Sequence, residues 1–267
     1  MSRVITSPQN PLIKNVILLS EKPRERKSQN LIVIEGIRET RLALNAGFVI
    51  TDLLYCKDFI KEDDLAELTQ SPEPSFEPVE VPAAIYNRMA YRNDHGGVIA
   101  LAVPKRIEFG DLQLSAKPLI LVLESVEKPG NLGALLRTAD AANLDAVVIC
   151  DPQTDIYNPN AIRSSIGCIF TMPVVTSTSE ETINWLRLKK IKSFGTALTA
   201  IDFYHETDFT KPSAIIMGSE AFGLSDLWLE KSDLLVKIPM RGKIDSMNVS
   251  ASAAVVVFEA LRQRGFK

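Results

Sequence analysis

Three stretches of the 267-residue chain set amide, carboxylate, hydroxyl and guanidinium side chains beside glycines at the ends of apolar runs. The first is ESVEKPGNLGALLRTADA (124–141). It turns at Lys128-Pro129-Gly130-Asn131 and enters a helix-forming stretch from Leu132 to Ala142, with Asn131 at the N-cap and Arg137 in the second turn. In the second, IMGSEAFGLSD (216–226), Gly218 and Gly223 bracket Glu220. The third, VKIPMRGKIDSMNVSASAAVVVFEALRQR (236–264), ends a strand at Pro239, crosses a polar loop containing Ser246 and opens a helix near Asn248. Its small residues Ser250 to Ala254 let another backbone approach closely. The spacing of Gly218 and Gly223 is that of a phosphate loop, but Leu224 stands where that motif needs lysine. No GxGxxG follows a strand either, so nucleoside triphosphates and dinucleotides are both disfavoured. Taken singly, each residue also has a purely structural explanation. Asn131 suits a helix cap, Arg137 a surface ion pair, Glu220 the positive end of the next helix, and the third stretch a tightly packed core helix.

These loops need a sheet to hold them. From Leu119 the pattern predicts strands at 119–126, 146–150, 172–177, 192–198, 213–218 and 234–238, with helices between and a long one over 249–264. Apolar strands without polar alternation, separated by helices, indicate a parallel sheet covered on both faces, where ligands bind beyond the carboxyl ends of the strands. Upstream, strands are expected at 31–36, 50–56 and 96–103, and helices at 37–46 and 62–69; the Pro-rich SPEPSFEPVEVP (71–82) leads through a strand-like stretch to AAIYNRMAY. The fold class is α/β in both parts. The domains are expected at 1–104 and 119–267, joined by a polar linker, 105–118.

Bulk properties narrow the field. No apolar run is long enough to span a bilayer, and the start has no signal-peptide core, so a cytoplasmic protein without a membrane role is expected. Three scattered cysteines (Cys56, Cys150, Cys168) and two histidines (His95, His205) offer neither a disulfide framework nor a zinc site, and no metal is expected. The net charge of −3 argues against non-specific coating of nucleic acid. Residues 1–41 nevertheless carry eight Lys/Arg against four Glu, an excess able to neutralise phosphates, although such runs are often only solvated faces.

NLGALLRTADA, MGSEAFGLSD and IPMRGKIDSMNVSASAA, in that order, resemble the three signature motifs of the SpoU family in the SPOUT superfamily. ITSPQNPLIK, VIEGIRETRLALNAG and HGGVIALA resemble the small ribosomal-protein-like RNA-binding domain that often precedes its catalytic domain, so the resemblance covers the whole chain. It implies a sheet threaded into a trefoil knot and methylation of a ribose 2′-hydroxyl in structured RNA by S-adenosylmethionine. Large-subunit ribosomal RNA is favoured over transfer RNA, DNA is not a partner, and the enzyme works as a homodimer. By resemblance, Gly218, Ile238 and Met247, with Thr196 and Ala197 nearby, hold the cofactor. Asn131, Arg137, Glu220, Ser246 and Asn248 line the reaction centre. Asn131 and Asn248 would position the ribose, and Glu220 would hold Arg137 or Asn131. A guanidinium stays protonated, so Arg137 suits phosphate binding and stabilisation of a developing oxyanion better than proton abstraction. The sequence departs from the pattern at Ala221, where glycine is common and a tighter loop is implied, and at Asp245 and Met247, which replace the usual Glu and Leu. The alternatives are a catalytically silent RNA-binding protein of the same fold, and a nicotinamide-dependent oxidoreductase, which the missing glycine fingerprint disfavours.

Overall fold

The computed structural model describes residues 3–69, 76–91 and 96–266. Most of the Pro-rich stretch before Phe76, and His95, lie outside the described residues. The chain forms two compact units, Met1–Lys105 with Tyr157–Thr171, and Arg106–Ile156 with Met172–Lys267.

The first unit holds a five-stranded mixed sheet of Arg3–Val4 (β1), Ile32–Glu35 (β2), Ile50–Tyr55 (β3), Pro78–Glu80 (β4) and Val98–Ala102 (β5), in the order β1-β4-β3-β5-β2. Strands β1 and β3 run parallel to β4, while β5 is antiparallel to β2 and β3. Its helices are Pro11–Glu21 (α1), Pro23–Gln29 (α2), Ile37–Asn45 (α3), Glu62–Thr69 (α4) and Ala83–Met89 (α5). Ile13, Val16 and Leu19 of α1 and Ile85, Tyr86 and Met89 of α5 share one core with Val33, Leu54, Val79 and Leu101 of the sheet. Arg26, only 3% exposed, sends Nη1 to the carbonyls of Leu19 (2.5 Å) and Ser20 (3.3 Å), capping the negative end of α1. Arg41 pairs with Asp64 and Glu67 across α3 and α4.

Two of the eight basic residues in 1–41 therefore serve the fold. The rest are exposed, and they are unevenly placed. The α1–α2–α5 layer shows Lys14, Lys22, Arg24, Lys27 and Arg88 against Glu21 and Glu25. The α3–α4 layer carries Glu39, Glu62, Asp63, Asp64 and Glu67 against Arg38 and Arg41.

The second unit is built on a seven-stranded sheet in which every pair is parallel: Leu119–Glu124 (β6), Ala146–Cys150 (β7), Val174–Ser177 (β8), Lys192–Thr196 (β9), Asp202–Phe203 (β10), Ser213–Met217 (β11) and Leu234–Lys237 (β12). Every residue of β6, β7 and β11 is buried, which is why these strands read as unbroken apolar runs. After Pro129–Ala141 (α6) and β7, the chain leaves this unit. Pro159–Ser164 (α7) and Cys168–Thr171 (α8) pack in the first unit, where Phe170 meets Phe48 edge-on at 5.0 Å and the Tyr157 hydroxyl donates to the Lys105 carbonyl. The second unit resumes with β8 and with Ser179–Leu188 (α9), Asp226–Lys231 (α10) and Val249–Gln263 (α11). Helices α9 and α10 bury Trp185, Leu186 and Trp228 against Ile120, Val148 and Ile216. Helix α11 packs on α6 and β11.

The strand order is β10-β12-β9-β11-β6-β7-β8. Strand β12 thus lies between β9 and β10, with Val236 opposite both Thr196 and Asp202. The connection 197–201 consequently straddles a strand that comes later in the chain.

Of the segment expected as a linker, Lys105 belongs to the first unit and 106–118 to the second. Ile107 bridges Val175, Phe109 stacks on Trp185 (4.5 Å between centroids, 19° between planes), Leu112 and Leu114 join the same core, and the Ser115 amide donates to Asp145. Its polar, aperiodic composition hides three apolar anchors that fall at no helical or strand period. Phe109→Ala is expected to destabilise the protein by about 1–2 kcal/mol, less than a fully buried phenylalanine would. Denaturant melts check this, since a residue in a free linker would change nothing.

Candidate active site

The ends of β9, β11 and β12 and the start of α11 enclose a cavity of about 680 Å3. Nine of the ten residues singled out in the sequence line it: Asn131, Thr196, Ala197, Gly218, Glu220, Ile238, Ser246, Met247 and Asn248. Arg137 does not.

Each is placed by a local cause. Helix α6 begins at Pro129, one turn earlier than Leu132, because proline is favoured in the first helical position. Lys128 is therefore the N-cap and Asn131 lies inside the first turn, so its side chain caps nothing. The Asn131 amide instead donates to Glu220 Oε1 at 2.7 Å, and its Oδ1 accepts from the Asn248 amide at 3.1 Å. Asn248 is the N-cap of α11; its Oδ1 accepts from the amides of Ser250 (3.0 Å) and Ala251 (3.4 Å) and from the Ser250 hydroxyl (2.5 Å). The three loops are thereby joined in a single chain of hydrogen bonds, Glu220 to Asn131 to Asn248.

Glu220 also accepts from the amides of Glu127 (3.2 Å) and Lys128 (3.4 Å). Burial pushes its carboxyl up, but the hydrogen bonds from Asn131, Glu127 and Lys128 outweigh that, and the group is held below the ordinary glutamate range. At neutral pH it is an ionised acceptor. This stabilising contribution is complete above the unfolded pKa and is lost as pH falls through the lowered folded value.

Gly218 leaves no room for a side chain. A Cβ there would lie 2.1 Å from the Gly223 carbonyl carbon and 2.3 Å from the Leu224 nitrogen. The loop between them is pinned by reciprocal bonds of Ser219 and Gly223 (2.9 and 3.0 Å), and its left-handed turn falls at Gly223 (φ 71°). Ala221, where the motif comparison implies a tighter loop, is exposed and carries no positive φ, so its methyl group costs the loop nothing. The Thr196 hydroxyl donates to the Ile216 carbonyl at 2.8 Å, which commits that proton to the sheet. Ser246 and Met247 sit on the exposed loop at the mouth.

Glu127 and Lys128 escape a sequence reading because they act through backbone amides, which no side-chain pattern reports. Phe222, 89% exposed in the Gly218–Gly223 loop, also lines the cavity, and nothing in the sequence sets it apart from the rest of its motif. Arg137 is exposed, and among the described residues no hydrogen bond or ion pair engages its side chain. It lies six residues beyond Asn131, about 9 Å along α6 and about 240° around it, on a different face. Of the two partners expected for Glu220, the structure supplies Asn131 and not Arg137.

A doubly covered parallel sheet with three joined loops at its carboxyl edge defines an α/β ligand-binding enzyme domain. Comparison with known proteins narrows this. Residues 118–258 match the model of the SpoU rRNA Methylase family, and residues 10–100 that of the MRM3-like substrate binding domain. The 23S rRNA (guanosine(2553)-2′-O)-methyltransferase of Bacillus subtilis (strain 168) is 30% identical over 258 residues, covering 95% of this chain and 97% of that protein. A solved RNA 2′-O ribose methyltransferase is 36% identical with a TM-score of 0.85, covering 98% of this chain and 99% of that one. An AdoMet-bound rRNA methyltransferase from Sinorhizobium meliloti is 26% identical with a TM-score of 0.88, covering 98% of each chain. The chain belongs to the SpoU rRNA methylase family.

The cavity fits S-adenosylmethionine, the cofactor. Its volume is within the range of sites for ligands of that size. Its walls combine apolar side chains such as Leu229, Val236 and Val256 with strand-end backbone, and its mouth is polar. Gly218→Ala should force Gly223 and Leu224 apart and weaken S-adenosylmethionine binding by at least about tenfold, read by isothermal titration. Unchanged affinity would mean that the loop is not a wall of the cofactor site.

Proposed function

We propose that the protein methylates a ribose 2′-hydroxyl of large-subunit ribosomal RNA, and that it does so as a cytoplasmic homodimer. The observation that carries the reading is the Glu220–Asn131–Asn248 chain at the mouth of a cofactor-sized cavity. The relatives named above are described as a 23S rRNA 2′-O-methyltransferase, an RNA 2′-O ribose methyltransferase and an rRNA methyltransferase, which favours ribosomal over transfer RNA. Among the described residues no helix is long and apolar enough to cross a membrane.

S-adenosylmethionine, when bound, supplies a methyl group on a positively charged sulfur. Thr196, Ala197, Gly218, Ile238 and Met247 would hold it, and Gly218 lets the loop backbone close on it. Asn131 and Asn248 would orient the ribose, each with its rotamer fixed by the partner amide and by Glu220, so that little reorganisation is left for the reaction. Ser246 offers a hydroxyl at the same mouth. Glu220 is engaged by three donors and holds Asn131; its ionised state suits a fixed anchor. The 2′-hydroxyl gives up its proton to solvent at the open mouth as its oxygen is methylated, and a permanent cation beside it stabilises the charge that develops.

Arg137 is assigned that task, supplied by a second copy. Its exposure and its position on another face of α6 support this, since no rotamer change carries it around the helix. The placement of β12 between β9 and β10 supports the knotted threading implied by the motifs. The basic α1–α2–α5 layer is assigned to the RNA backbone.

Two experiments test these assignments. Arg137→Ala and Asn131→Ala should each abolish transfer, while a one-to-one mixture of refolded subunits should recover about a quarter of wild-type activity, because half the dimers carry one intact composite site. No recovery would place Arg137 and Asn131 in the same subunit's site. The triple change Lys14→Glu, Arg24→Glu, Lys27→Glu should weaken RNA binding and lower its salt slope by about three, leaving S-adenosylmethionine affinity unchanged. A salt slope equal to wild type would remove that layer from the RNA interface.

A further inference from the structure

Glu124 closes β6 and is 5% exposed, a buried carboxylate that the site described above does not use. Among the described residues no ion pair compensates it. A buried polar group costs stability unless hydrogen bonds hold it. Its Oε2 accepts from the Ser225 amide at 2.9 Å, a contact 101 residues apart in sequence, and its Oε1 lies 3.5 Å from the Ser179 hydroxyl. Ser179 is itself tied to Asp151 Oδ2 (2.7 Å) and accepts from the Trp228 indole (2.9 Å). The residues following β6 and β7, Ser125 (φ 52°) and Asp151 (φ 48°), both adopt left-handed backbone, which turns the chain sharply around this network.

Ser225 is the N-cap of α10 and follows directly on the loop that closes over Gly218. Because Gly218 rests against the Gly223 carbonyl and the Leu224 nitrogen with no space to spare, any movement of Gly223–Ser225 changes the width of the cavity at Gly218. We propose that Glu124 is a positioning residue for the cofactor site: by gripping the Ser225 amide it fixes the far end of the Gly218–Gly223 loop at the spacing that S-adenosylmethionine requires. The inference rests on the reading of the cavity as the cofactor site.

The test is isothermal titration of the full-length chain with S-adenosylmethionine, alongside its melting temperature and RNA affinity. Glu124→Ala should weaken cofactor binding by about tenfold or more, with RNA affinity unchanged. Glu124→Gln keeps an acceptor at the same reach and should bind within about threefold of wild type. Glu124→Asp keeps a carboxyl group but falls about one carbon short of Ser225, so it should lose affinity like alanine; it serves if the alanine variant does not fold. Asp151→Asn disturbs the same network without touching Ser225 and should bind within about threefold of wild type. Wild-type affinity in the alanine and aspartate variants, or an equal loss in Asp151→Asn, overturns the clamp. A wild-type protein that does not bind the cofactor at all would instead sink the reading of the cavity.

Discussion

The 2.7 Å bond from the Asn131 amide to Glu220 joins the first helix of the second unit to a loop 89 residues further on, and through it the three loops of the site are held together. Neither partner has an equivalent substitute. Asn131 is free to reach across because Lys128 has taken the capping position, and Glu220 can receive it because two backbone amides already hold the carboxylate in place. Asn248 then joins through the other end of the same amide, so a group with one donor face and one acceptor face serves as the hinge pin of three loops. An aspartate at position 131 would set two negative charges against each other, and a leucine would remove the shortest of the carboxylate's hydrogen bonds and the link to Asn248.

Much of this is legible in the amino-acid sequence alone. The strands of the second unit show because burial on both faces demands unbroken apolar runs, and Asn248 shows as a helix cap because small residues follow it. Asn131 is misplaced by one turn, since asparagine's liking for caps competes with proline's for the first helical position, and proline prevails. The two-residue strands Arg3–Val4 and Asp202–Phe203 are too short for any period to show. The packing of 104–118 rests on Phe109, Leu112 and Leu114, whose spacing matches no regular element. Pairings such as Glu124 with Ser225 are beyond any local pattern because one partner is a backbone amide.

The division of the chain is also less linear than its composition suggests. Residues 157–171 stand between β7 and β8 in sequence, yet Gly167, Phe170 and Tyr157 find their contacts at Leu42, Phe48 and Lys105. Cutting the protein near residue 105 would therefore strip apolar partners from a segment retained in the other half. The two charge layers of the first unit matter in the same way: a net charge of −3 conceals a basic face because α3 and α4 gather the acids elsewhere. Whole-chain electrostatics is a poor guide when opposite signs are sorted between layers.

The seat of β12 between β9 and β10 has a consequence in time. During synthesis the ribosome delivers residues 192–203 well before 234–237, so β9 and β10 cannot settle side by side as neighbours; the gap must stay open, or reopen, for a strand not yet made. Val256, later still in the chain, lines the cavity as well. A nascent chain therefore acquires its catalytic pocket only once residues 234–256 have been made, and a translation product that stops short of them, though it retains most of the sheet, is left without an enzyme's interior.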